Sequence, residues 1–145
     1  MGSASAAARA VLALLVLFMA CAPQGASGKD GDALASLIAA NVRSTDVTVV
    51  LEISGAERLK TTGGYTLWRI SATVLRSFRG DPGPGESMKY LRTMETEFPA
   101  PAAGSRHIVS FCRVEDRLEI PDEGYHFPFS PELELEVENE LHEGK

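Results

Sequence analysis

Cysteine is scarce in this chain: 145 residues contain two, Cys21 and Cys112. That is too few for a disulfide framework of the kind that staples small secreted scaffolds. Stability must come from a buried core, which a chain of this length can build without staples. Chemistry-bearing spacings are missing as well. His107, His126 and His142 form no HxxxH pair and no CxxC accompanies them, so no zinc site is expected. Gly80-Asp81-Pro82-Gly83-Pro84-Gly85 is not followed by GK[ST], and its prolines lack the amides that cradle phosphate. Ser105 and Ser110, the serines nearest His107, lie in no GxSxG elbow. No DxDxDG calcium loop occurs either. The expectation is a protein with no catalytic residue, no metal and no cofactor.

Positive charge is also in short supply. Fourteen Lys and Arg face twenty Asp and Glu, for a net charge of −6. The imbalance sits at one end, because Glu115–Lys145 holds eleven acids and two bases. Such a segment repels phosphate backbones, which disfavours nucleic-acid binding.

Long apolar runs are lacking too. Val11–Ala20 is ten residues long, half of the roughly 20 a membrane-spanning helix needs. It has the length of a secretory signal's hydrophobic region, with Arg9 before it and the small residue Ala20 at its end. Phe18-Met19-Ala20-Cys21 resembles the lipobox of bacterial lipoproteins, whose cysteine becomes the acylated first residue of the mature chain. The resemblance implies lipidation at Cys21 and a membrane-anchored place in the cell envelope, at the outer membrane if the organism has one. It divides the chain into a leader (1–20), a Gly/Ala/Ser-rich tether (21–31) and one domain (32–145). An ordinary secretory signal, cut after Ala20, Ala26 or Gly28 to release a soluble protein, and an uncleaved hydrophobic anchor remain open. With Cys21 acylated, Cys112 in the apolar run IVSFCRV has no partner and reads as a buried free thiol.

Periodicity gives the elements. Asp32 can cap a short helix in which Leu34, Leu37, Ile38 and Val42 share a face. From Val47 the period becomes two: Val47, Val49, Leu51 and Ile53 mark a strand with one buried face. Ser54–Gly64 is polar and reads as a hairpin connection. Tyr65–Phe78 carries Trp68, Ile70, Ala72 and Val74 on one face, and its length predicts a bend or bulge near Leu75–Ser77. Further strands are expected at Met88–Met94 and His107–Val114. At the C-terminus Ser130-Pro131-Glu132 has the N-cap, N1 proline and first-turn acid of a helix. Leu133–Val137 also alternates as a strand would, but the start signals favour helix.

Tyr65-Thr66-Leu67, Val74, Phe78-Arg79-Gly80 and Gly104–Phe111 resemble the core motif of envelope proteins built on the barrel of tissue inhibitors of metalloproteinases and netrin-type modules. The resemblance implies a mainly β fold: a small five-stranded OB-like antiparallel barrel with a short N-terminal and a C-terminal helix. It does not imply protease inhibition. That activity uses a free N-terminal cysteine in a disulfide-rich frame, and an acylated Cys21 cannot enter a protease cleft.

The candidate binding face is basic and aromatic: Arg69, Arg76, Arg79, Lys89 and Arg92, interleaved with Tyr65, Trp68 and Tyr90. OB barrels bind ligands on one strand face, and in the envelope the ligand would be a protein or a glycan. The same cations can instead pair with the acidic C-terminal segment. The expected function is therefore a non-enzymatic, lipid-anchored envelope protein binding a protein or glycan; an enzyme inhibitor or hydrolase with an unrecognised site is the alternative. Mass spectrometry of the mature native protein is expected to find Cys21 first and acylated. A chain that starts at Met1, or bears an unmodified Cys21 thiol, overturns the anchor.

Overall fold

The computed structural model describes residues 27–144. The expected leader, the lipidation residue Cys21 and tether residues 21–26 lie outside them. The chain divides into units Met1–Asp30 and Gly31–Lys145, and the second holds all the strands. The elements are helix α1 (Ser27–Ser44), strands β1 (Val47–Thr62), β2 (Tyr65–Arg79), β3 (Ser87–Glu95), β4 (Arg106–Val114) and β5 (Arg117–Glu119), a 3₁₀ turn (Glu123–Tyr125), β6 (His126–Pro128) and helix α2 (Pro131–Glu143). The fold is mainly β, as the alternating patterns imply, with a helix at each end.

The antiparallel sheet has six strands in the order β3-β2-β1-β4-β5, with β6 also paired to β4. It is not closed and has six strands, where a small five-stranded OB-like barrel was implied. The cause is at the β4 edge. There β6 pairs with His107–Val109 and β5 with Cys112–Val114, each over three residues. Neither is long enough to ladder with the nine residues of β3, and Pro121 interrupts the chain between them.

Strand β1 runs on to Thr62, through residues expected to be loop. The β1–β2 turn is Gly63-Gly64, both with positive φ, the two-residue geometry that matches strand twist. On the β1 side the outer part of this hairpin, Glu57–Thr62, is exposed on both faces, so no apolar alternation marks it. The β1–β2 ladder shifts register four times. Leu75 and Phe78 are the extra residues on β2, where a bulge was expected, and Ser54 and Leu59 are extra on β1. Bulges bend a strand pair and increase its twist.

The bent sheet encloses a core on its concave face: Val47, Val49, Leu51 and Ile53 of β1, Trp68, Ile70, Ala72 and Val74 of β2, Met88 and Tyr90 of β3, Val109 and Phe111 of β4. A second core lies behind β1 and β4, where Ala35, Ile38, Leu133 and Val137 pack on Val50 and Ile108. Strand β1 is thus buried on both faces in its first half. Thr48 there is satisfied by Ser110 Oγ at 2.8 Å and Thr45 Oγ1 at 3.3 Å.

Helix α1 begins upstream of Asp32, which lies inside it and does not cap it; Ser27–Gly31, expected as tether, are helical. Leu37, expected on the buried face, is 47% exposed. Helix α2 starts as its signals foretold, with Ser130 Oγ accepting from Leu133 N at 3.1 Å and Pro131 at its start.

Gly80 ends β2 with φ +74, and a Cβ there would collide with the Asp46 carbonyl oxygen. Gly80→Ala is expected to lower the urea midpoint by the equivalent of about 2 kcal/mol or more, with the m-value unchanged. Gly64→Ala has positive φ but open space around it and should cost about 1–2 kcal/mol.

Candidate functional site

The basic face does not assemble as a site. Arg69 pairs with Glu57 at 3.0 Å in solvent. Arg76 binds Glu134 at 2.9 Å and also Glu138, both on α2, so this cation does pair with the acidic C-terminal segment. Arg79 donates to the carbonyls of Val42 and Arg43 at 3.0 and 2.9 Å, closing the C-terminal end of α1, where bare carbonyls attract a cation. Arg76 and Arg79 are thus occupied in holding the two helices to the sheet, and Arg69 in a cross-strand pair of the β1–β2 hairpin. Trp68 points into the core, packed under the Arg58 guanidinium at 5.4 Å.

Lys89 and Arg92 remain, and both border the gap where the sheet fails to close. This gap is a trough between β3 and the segment from Arg113 to Glu123. Its main part encloses about 780 Å³ between Met88, Tyr90 and Leu91 on one wall and Leu118 and Ile120 on the other. A second part, of about 360 Å³, continues from Leu91 and Ile120 to Arg92 and Glu123. The size is that of a ligand site, and the lining mixes apolar side chains with charges of both signs. Leu91 and Phe98, both along the trough, are 49% and 54% exposed.

The inner wall is set by a polar link across the curled sheet. Tyr90 of β3 lies edge-on to Phe111 of β4, with ring centroids 5.2 Å apart. Its hydroxyl sits 3.0 Å from His126 Nε2 on β6. The His126 ring lies 4.7 Å from that of His107, whose Nε2 meets Ser105 Oγ at 3.0 Å. Burial pushes the Tyr90 phenol well above its ordinary pKa, against the pull of Arg92. Burial takes His126 down to about 3, helped by the positive charge of Arg92 and by His107. His107 is lowered for the same first two reasons. Burial also holds the Arg92 guanidinium below its usual value, opposed by Tyr90 and Glu123. Both histidines are therefore neutral at neutral pH, and a neutral His126 ring can accept the Tyr90 proton at Nε2.

Cys112 is a half-buried free thiol on β4. Among the described residues no group of three His, Cys, Asp or Glu side chains converges as a metal site. Sequence reasoning passed over His107 and His126 as ordinary strand and loop histidines, and it had no element at Arg117–Glu119. The chain matches no family model, no curated protein and no solved structure.

A buried histidine whose folded pKa lies below its unfolded value leaves the unfolded state binding more protons, so stability rises with pH across the interval. For His126 the interval runs from about 3 to the ordinary 6.5, and the stability is fully present above 6.5. His126→Gln keeps an acceptor but does not titrate. The wild-type advantage over this variant is expected to be largest near pH 7 and to shrink steadily toward pH 4, as read from urea unfolding at each pH. A pH-independent difference refutes the neutral buried state.

Proposed function

We propose that this chain is a non-enzymatic cell-envelope protein, held to a membrane through lipid on Cys21, whose β-domain binds a protein partner along the β3–β5 trough. The trough is the observation that carries the reading. It is a long, solvent-open seam with apolar side chains at its floor and charged ones at its rim, the layout of a protein interface. Trp68, the side chain best suited to stack on a sugar ring, is buried under Arg58, which favours a protein over a glycan. The anchor is supported by the apolar run Val11–Ala20 and the lipobox-like Phe18–Cys21. A single acyl chain gives marginal membrane binding and two give stable residence, so a diacylated Cys21 would keep the trough close to the membrane.

The test compares the full chain with Leu91→Asp as bait for detergent extracts of the source envelope. Leu91 is half exposed, so the substitution should change stability by no more than about 1 kcal/mol. A partner retained by the wild type is expected to drop about tenfold or more with Leu91→Asp. Leu37→Asp, on the exposed side of α1, should leave retention unchanged. Equal capture by the Leu91 variant removes the trough as the binding surface.

A further inference from the structure

The hydrogen-bond pattern of β3 shows what kind of partner the trough fits. At one end of the β2–β3 ladder Val74 N donates to Glu86 O at 2.9 Å, and at the other Thr96 N donates to Gly64 O at 2.8 Å. The register between them is unbroken. Even-numbered residues of β3 therefore bond to β2, and alternation turns the amides and carbonyls of odd-numbered residues the other way. Lys89, Leu91 and Thr93 thus aim their backbone N–H and C=O groups at the trough. Among the described residues none of these six groups has a backbone partner. They recur about every 6.6–6.8 Å, the two-residue repeat of a strand. Natural proteins rarely leave such an edge open without a use or a guard.

We propose that the trough takes an extended, basic-apolar peptide segment of a partner protein, added to the sheet as a strand on Lys89, Leu91 and Thr93. This rests on the trough being the binding surface, as argued above. Main-chain bonds to those residues would supply the register. Alternate apolar side chains of the segment would face Leu118 and Ile120 across the seam. Charge selects the class. Along the trough carboxylates outnumber cationic side chains, and the chain as a whole is at −6. At the Phe98 end, Glu95, Glu97 and Glu123 stand together. The Glu95 carboxyl is held above its usual pKa, first by its hydrogen bond to Glu97 and further by burial and the charges of Glu97 and Glu123. A lysine or arginine seated there relieves that repulsion. A second copy of this chain fits less well, since its own edge carries the same excess of carboxylates and the two would repel.

The test uses the full chain and four capped octapeptides. One alternates valine and lysine, one alternates valine and glutamate, and two are Val/Lys peptides N-methylated at every valine or at every lysine. The Val/Lys peptide is expected to bind and to slow hydrogen exchange at the Lys89, Leu91 and Thr93 amides. Its affinity should fall as salt is raised. One N-methylated isomer should lose about tenfold or more, since only one set of amides can face β3, and the Val/Glu peptide should bind at least tenfold more weakly. Absence of Val/Lys binding at millimolar concentration, binding without protection of the three amides, or equal binding by both N-methylated isomers overturns strand addition. Protection of the same amides on concentrating the chain alone, with a dimer in sedimentation, assigns the edge to a second copy and overturns it too. These outcomes leave the wider reading standing, because that reading fails on the Leu91→Asp capture result instead.

Discussion

The bend in the β1–β2 hairpin is the constraint on which the rest of the molecule depends. An unbulged ribbon of this length would twist gently and leave its apolar face against water. The extra residues Leu75 and Phe78 on β2, with Ser54 and Leu59 on β1, fold the ribbon over instead. Only then can Tyr90, carried on β3, meet Phe111 and His126 on the far side. The same bend turns Phe78 out toward the second core, against which it packs. Gly80 continues the path at the end of β2, where no side chain fits beside the Asp46 carbonyl.

The helices are held mainly by packing. Leu133 and Val137 are almost fully buried against Val50 and Ile108, and burial of side chains of this size is worth about 1.5–3 kcal/mol each. The ion pairs of Arg76 lie at a partly exposed surface, where such pairs contribute about 0–1 kcal/mol. Arg76 therefore fixes the rotation of α2 more than its attachment. That accounts for part of the acidic C-terminal segment: Glu134 and Glu138 face Arg76, while Glu132 and Glu143 stand exposed to solvent.

Much of this was legible from residues alone. The Ser130-Pro131 start of α2, the concave row Trp68-Ile70-Ala72-Val74, the bulge near Leu75 and the pairing of basic and acidic segments all follow from spacing and charge. The errors have physical causes. Residues 57–62 pair with β2 but face water on both sides, so nothing in their composition separates strand from loop. Strands β5 and β6 have three residues each, shorter than any period can reveal. Leu37 fits the helical repeat but points away from both cores. The site was missed for a related reason. It is made by the sheet edge, whose binding groups are backbone amides and carbonyls that every residue carries. A search for distinctive side chains selected the arginines, and the fold had already used most of them.

An open seam in so small a sheet calls for an explanation of why it does not collapse. Closure would require a strand opposite β3 to match its nine residues, and Pro121 together with the turn at Asp122–Tyr125 prevents one from forming. The inner wall of the seam is instead fixed by a contact across the core. Tyr90 is pinned to His126 at 3.0 Å, and burial together with the charge of Arg92 resists a second proton on either imidazole. A protonated His126 could no longer accept from Tyr90 and would repel Arg92 directly. A neutral His126 is thus a condition for the Tyr90 link that joins β3 to β6 across the core.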